Sequence, residues 1–276
     1  MKENRVLTIQ DFSSVGQCSS VAAVAIISAM GIETIALPIA LLSAQTSSFS
    51  NYTYVDLSDN LLPSEKRIKN SGLTFDFIYT GYLGKSKIIG DVLKIQKDYP
   101  DAFFVVDPAM AEHGKLYDGI TDDFVSEITK LCILSDFALP NVSEACMITG
   151  VEYKSVLSQK DITDIANKLY RLGVKNFAIT GIKTESGMRL ALCENGEINY
   201  FKINEISGQF FGSGDVFSSA FVGGLARGLN NEAAIKLAME FTQKAIEITA
   251  LDKEHYYGLK FEKALPYLVE KINGLC

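Results

Sequence analysis

The sequence contains no tryptophan, six prolines and only two histidines in 276 residues. His113 and His255 are too few for a histidine-built metal centre, and neither stands in a Ser or Cys nucleophile pattern. The five cysteines, Cys18, Cys132, Cys146, Cys193 and Cys276, form no Cys-x-x-Cys pair and are odd in number. That argues against a zinc site and against a disulfide framework. Cys132, Cys146 and Cys193 stand in apolar settings and are expected to be buried small hydrophobes. No Gly-x-x-x-x-Gly-Lys-Ser/Thr loop is present: Lys115, in His113-Gly-Lys-Leu-Tyr117, lacks that spacing. A Gly-x-Gly-x-x-Gly fingerprint is missing too, which counts against a dinucleotide-dependent dehydrogenase. Positive charge is not in excess. The net charge of −7 argues against nucleic acid or an anionic membrane as the main partner. No apolar stretch is long enough to span a bilayer, and no signal-peptide segment follows Met1–Arg5, so a cytoplasmic setting is expected.

What remains is a core-rich chain, 47% hydrophobic, able to form one large α/β domain or two small ones. No repeat, low-complexity tract or Pro/Gly-rich linker divides it. Strand-like runs alternate with helix-like ones, as in parallel βαβ units. Strands are expected at Arg5–Gln10, Glu33–Ser43, Phe75–Tyr79, Ala102–Val106, Phe137–Pro140 and Asn176–Thr180. Helices are expected at Ser20–Met30, Ser64–Asn70, Ser86–Tyr99, Asp122–Cys132, Asp161–Leu172, Ser213–Arg227, Asn231–Thr249 and Phe261–Asn273. Residues 44–60 read as a long polar connection with some β character, of the kind that forms lids. Two late runs flank Asn195-Gly196, a strong hairpin signal. The fold expected is a mostly parallel sheet flanked by helices, with a late antiparallel hairpin. Ligands gather at the C-terminal ends of strands in such sheets.

The chemistry-bearing motifs fall at those ends. Gly212-Ser213-Gly214-Asp215 leads into the apolar run Val216–Phe221. Two glycines and a helix start offer backbone N–H groups to an anion, and a carboxylate beside them can take a proton from a hydroxyl. Gly-x-Gly-Asp also occurs in ordinary turns. Asp107-Pro108 follows Phe103–Val106 and reads either as a magnesium-organising carboxylate or as an Asp-Pro turn. In Pro140-Asn-Val-Ser-Glu144, Asn141 or Ser143 caps a helix and Glu144 complements its dipole, or Asn141 and Glu144 lie beside magnesium-bound phosphates. Thr180-Gly181 suits a nucleotide contact and equally a plain strand exit.

Taken together and in this order, these motifs resemble the ribokinase-like superfamily. Thr8-Ile-Gln10 with Gly16, Thr80-Gly-Tyr-Leu-Gly84 and His113-Gly-Lys-Leu-Tyr117 resemble its pyridoxal (pyridoxine/pyridoxamine) kinase branch, a match running from about residue 5 to residue 250. The resemblance implies a single kinase domain over 1–276, a three-layer sandwich that uses ATP and Mg2+ and leaves room for K+. It implies Asp215 as the base and the N–H groups of Gly212, Ser213 and Gly214 as an anion hole. Asp107 and Glu144, through water, would arrange magnesium, with Asn141, Thr180 and Gly181 at the nucleotide. Asp11, Thr46 and Tyr82 would meet the substrate ring. A homodimer is expected on the same ground. Pyridoxal kinases often carry Ser where Asp11 stands, and Ala44-Gln45-Thr46 fits the hydroxymethylpyrimidine kinases as well. Hydroxymethylpyrimidine kinase is therefore the neighbouring alternative. A non-catalytic nucleotide-binding protein is the alternative from another class.

Overall fold

The computed structural model describes residues 4–46 and 48–275. In chain order the elements are β1 (Arg5–Ser13), α1 (Ser19–Ala29), β2 (Glu33–Leu42), β3 (Tyr54–Asp56), α2 (Ser58–Asn70) and β4 (Phe77–Thr80). Then come α3 (Ser86–Asp98), β5 (Phe103–Val106), β6 (Ala111–Glu112), β7 (Lys115–Leu116), α4 (Asp122–Leu134), β8 (Phe137–Ala138) and α5 (Val142–Thr149). The last are α6 (Gln159–Leu172), β9 (Asn176–Thr184), β10 (Gly187–Glu194), β11 (Glu197–Ile203), α7 (Ser213–Ala226), α8 (Asn231–Ala250), a 3-10 turn (Phe261–Lys263) and α9 (Leu265–Leu275).

The chain forms two compact units. The first joins Met1–Gly81, Ile95–Ala102 and Ile206–Cys276. In it β1 runs parallel to β2 and to β4, so Leu7 faces Ile35 on one side and Ile78 on the other. β3 adds an antiparallel edge, with Leu41 opposite Val55. Because β1 has neighbours on both sides, Val6, Leu7 and Ile9 are fully buried, as parallel strands demand. The small residues of α1 serve close packing. A Cβ at Gly223 of α7 would fall 2.3 Å from Met30 Sδ, so the bare glycine makes room for the methionine side chain that follows α1.

The second unit joins Tyr82–Lys94 and Phe103–Glu205. β5 pairs parallel with β8, and β8 with β9. β10 then pairs antiparallel with β9 and with β11, which is the expected late hairpin. Its turn holds Asn195 at φ 50° and Gly196 at φ 91°, both left-handed, as a two-residue type I′ turn requires. Phe104, Phe137, Phe177, Ile128 and Leu169 fill the core of this unit. Cys132, Cys146 and Cys193 are buried as expected, and so is Cys18, whereas Cys276 lies outside the described residues.

Several boundaries depart from expectation. α2 starts six residues early and carries Pro63 inside it, losing the one bond Pro63 cannot give while Leu61 and Glu65 are buried. The 3-10 turn delays α9 to Leu265, with Pro266 in its first turn, where a missing N–H costs least. The polar connection after β2 contains β3, held further by Ser43 N–H donating to the Thr53 carbonyl at 3.1 Å. β6 and β7 make a small hairpin around His113-Gly114, which local sequence gave no reason to expect. Among the described residues no helix is long and apolar enough to cross a membrane.

The loop after α8 lies directly on the loop after β1. Gly258 has φ 97°, and a Cβ there would sit 2.0 Å from the Gly16 carbonyl oxygen. Gly258→Ala is therefore expected to cost about 2 kcal/mol or more. A thermal melt should register the loss as a Tm lower by roughly 4–8 °C.

Candidate active site

In the first unit α7 begins at Gly212, whose φ of 75° lies in the left-handed region, and no side chain caps it. The Val216 N–H closes the first helical bond on the Gly212 carbonyl at 3.0 Å, and the Ser213 N–H donates to the Phe210 carbonyl at 3.3 Å. Gly214 is exposed and Asp215 half-buried in the first turn. A Cβ at Gly212 would lie 3.2 Å from the Gln17 carbonyl oxygen and 3.5 Å from Cys18 Cβ. The α7 start therefore rests on the segment that leads into α1. That segment is contorted, with Gly16 at φ 134°, Gln17 at 53° and Ser19 at 49°. Cys18 stands at the α1 N-cap, again without a side-chain cap. Two helix N-termini, each favourable to negative charge, thus begin at one place.

Asp11 is buried beside them. The Ser13 hydroxyl donates to its Oδ2 at 2.8 Å, and the Ser19 hydroxyl also bonds its carboxylate. Burial raises its carboxyl above the usual range, which the two hydroxyls partly offset. The Cys18 thiol is pushed up by burial first and then by the charges of Asp215 and Asp11. Both carboxylates therefore act on one thiol. The structure brings Asp11, Asp215 and Gly212–Gly214 together around Cys18, a residue no local motif had singled out. Thr46 is exposed on the loop after β2, while its neighbour Gln45 is buried and donates its N–H to the Val15 carbonyl at 2.8 Å. Next to the α7 start lies a pocket of about 160 Å³, lined by Phe210, Phe211, Thr249, His255 and Tyr256 among others. A larger one, about 490 Å³, is lined by Gln17, Asp252, His255, Tyr257, Lys260 and Glu262 among others.

In the second unit the Asp107 and Asn141 motifs are knitted into one cluster. Asp107 follows β5 and accepts the Ala109 N–H on Oδ1 at 3.2 Å. Asn141, not Ser143, caps α5. Its Oδ1 accepts the Glu144 N–H at 3.0 Å, and its Nδ2 donates to the Ala111 carbonyl at 2.8 Å. Glu144 completes the capping box: Oε2 accepts the Asn141 N–H at 2.8 Å, and Oε1 accepts the Met110 N–H at 2.9 Å. Ser143 Oγ instead accepts the Gly114 N–H at 2.9 Å, which holds the small hairpin. Thr180 bridges to Asn141, donating its N–H to the Pro140 carbonyl at 3.0 Å, and Gly181 follows at φ 68°. Tyr82 is half-buried, its ring 3.1 Å from where a Cβ at Gly84 would stand.

The sequence matches the family described as phosphomethylpyrimidine kinase over residues 21–259. The chain belongs to the phosphomethylpyrimidine kinase family. It is 27% identical to the hydroxymethylpyrimidine/phosphomethylpyrimidine kinase of Aquifex aeolicus over 87% of this chain and 93% of that one. A Schizosaccharomyces pombe protein provisionally named a pyridoxal kinase is 30% identical over 55% of this chain, which spans only 46% of that relative's length. Among solved structures, pyridoxal kinase from Lactobacillus plantarum superposes with a TM-score of 0.90 and 25% identity, covering 99% of each chain. The expected ribokinase-like α/β kinase fold is borne out.

The Glu144 cluster makes a pH prediction for this family member. Burial first, and then the Asp107 charge, raise the Glu144 carboxyl from 4.5 to about 8, against the pull of three backbone N–H groups. A raised carboxyl stabilises the folded chain fully below its unfolded value, and that stability is lost as pH rises through the folded value. Without divalent cations, stability should therefore fall between pH 4.5 and about 8, by at most about 1.4 kcal/mol per pH unit from this group. Urea unfolding across that window checks it, and Glu144→Gln should flatten the slope.

Proposed function

We propose that this chain is an ATP-dependent kinase that phosphorylates the 5′-hydroxymethyl group of pyridoxal, pyridoxine or pyridoxamine, working as one domain over residues 1–276. A homodimer and a cytoplasmic setting belong to the same reading. The observation that carries it is the left-handed Gly212 start of α7, which gives a helix N-terminus without a side-chain cap and sets Asp215 in its first turn. Asp215 accepts the hydroxymethyl proton as that oxygen attacks the γ-phosphorus of ATP. The new O–P bond forms as the bond to the bridging oxygen breaks, and ADP leaves. Charge on the transferring group meets the N–H groups of Gly212, Ser213 and Gly214, with Ser213 giving up its long bond to Phe210.

Asp11, Thr46 and Tyr82 are assigned to the substrate ring. The pocket beside Phe210 and Tyr256 has the flat aromatic walls that suit a nucleobase. In the second unit Asp107, Asn141, Glu144, Thr180 and Gly181 are assigned to the nucleotide phosphates and their metal. Both Glu144 oxygens already accept backbone N–H groups, and among the described residues no three His, Cys, Asp or Glu side chains are grouped to hold a metal. Magnesium therefore fits only through water from Asp107 and Glu144, where it would supply charge neutralisation for the phosphates. No residue is assigned to K+.

Hydroxymethylpyrimidine kinase is the second reading, favoured by the Aquifex relative and its near-complete overlap. A panel of pyridoxal, pyridoxine, pyridoxamine, hydroxymethylpyrimidine and ribose, each with ATP and Mg2+, separates them by ADP release. Turnover of the B6 vitamers is expected. Turnover of hydroxymethylpyrimidine alone would move the chain to the second reading, and ATP binding without turnover on any alcohol would make it non-catalytic. Asp215→Asn should lower kcat by about 10²–10⁴-fold while the melting curve stays in place. Near-normal turnover in that variant would remove Asp215 from the chemistry.

A further inference from the structure

Asp11 presents a charge that the first unit leaves uncompensated. It is 4% exposed, and the side chains bonded to it are the hydroxyls of Ser13 and Ser19. Among the described residues it makes no ion pair and no Lys, Arg or His acts on its carboxyl. The second carboxylate that acts on Cys18 with it, Asp215, adds negative charge rather than relieving it. A buried carboxylate without a cation is costly, and neutral hydroxyls and a helix end return only part of the loss. The strand is also irregular at this point: Gln10 faces Pro38 of β2, but Phe12 faces Leu41. Such bulges redirect a side chain, and they concentrate beside active sites.

We propose that Asp11 selects, among hydroxymethyl heteroaromatics, the ones that carry an ammonium group over their neutral relatives. The proposal rests on the kinase reading above and adds a charge preference to it. A serine at this position, as pyridoxal kinases often have, offers a hydrogen bond but no charge. A carboxylate adds a full negative charge where little water reaches, so an ammonium on the substrate gains a charge-assisted bond that a hydroxyl or aldehyde does not.

The test uses pyridoxamine, whose aminomethyl group is an ammonium at pH 7, and pyridoxine, whose corresponding group is a neutral alcohol. The wild-type chain should favour pyridoxamine in kcat/KM. Asp11→Asn keeps the shape and the hydroxyl partners but removes the charge, and should lower the pyridoxamine-to-pyridoxine ratio by about 10- to 100-fold. A ratio that stays constant while both values fall would overturn the proposal and leave Asp11 a structural residue. Asp11→Ser repeats the measurement should the Asn variant fail to fold. Equilibrium binding of the same two compounds separates this inference from the kinase reading. Absence of turnover would sink the kinase reading alone, whereas equal Kd values in the wild-type chain would sink the charge preference.

Discussion

Whatever the first unit offers to a ligand depends on how closely the backbone at Gly212 approaches the backbone at Gln17. A single methyl group at Gly212 would press on that carbonyl from 3.2 Å, in a conformation that side chains rarely adopt. Bringing two strands of main chain this near places the starts of α1 and α7 side by side. The arrangement is not free of cost, since Gln17 and Ser19 both take left-handed conformations to complete it. Tight packing elsewhere holds them there. Gly223 sits on Met30 further along the same helix pair, and Gly258 sits on Gly16 from the other side. Two helix ends and two carboxylates then share a small volume, which sets anion-binding N–H groups beside acids that can take a proton or meet a cation.

The second unit solves a different problem with a single buried acid. Glu144 has no positive partner among the groups that act on it, yet its two oxygens receive N–H groups from the end of one strand loop and from the cap of its own helix. One side chain thereby fixes the course of the chain after β5 relative to the start of α5. The sequence of this segment suits a helix cap and a phosphate neighbour equally. The geometry makes the cap a fact, and leaves any role with phosphates to act through water and through the shape the cap imposes.

Much of this was legible in the sequence because much of it is local. Asn195-Gly196 announced its hairpin, and Gly31 and Gly173 stand left-handed just past their helices where a C′ residue belongs. Strand and helix alternation was readable for the same reason, as were the motifs at strand ends. What local sequence lacked was any statement of distant neighbours. Asn141 and Ser143 are equally good caps on paper, and the choice is made by Gly114, which claims the serine oxygen from 29 residues away. Cys18 gave no signal because, beside nearby Asp11, the groups that matter to it, Asp215 and the Gly212 backbone, lie nearly two hundred residues downstream. The course of α2 through Pro63 was hidden likewise, since burial of Leu61 offsets one missing bond.

The division of the chain also sets an order of assembly during synthesis. The second unit is drawn from two stretches in the middle of the sequence, Tyr82–Lys94 and Phe103–Glu205, so all of it has been made while translation is still under way. The first unit needs Met1–Gly81 and Ile95–Ala102 together with the late segment Ile206–Cys276. Its early part, with Asp11 and the contorted turn into α1, emerges from the ribosome long before α7 exists to press against it. For that interval β1 and α1 lack their packing partner, and their apolar faces are exposed to chaperones and to other chains. The pairing of Asp11 with Asp215 is then among the last features to appear, and a nascent chain stopped before residue 212 has no such site at all.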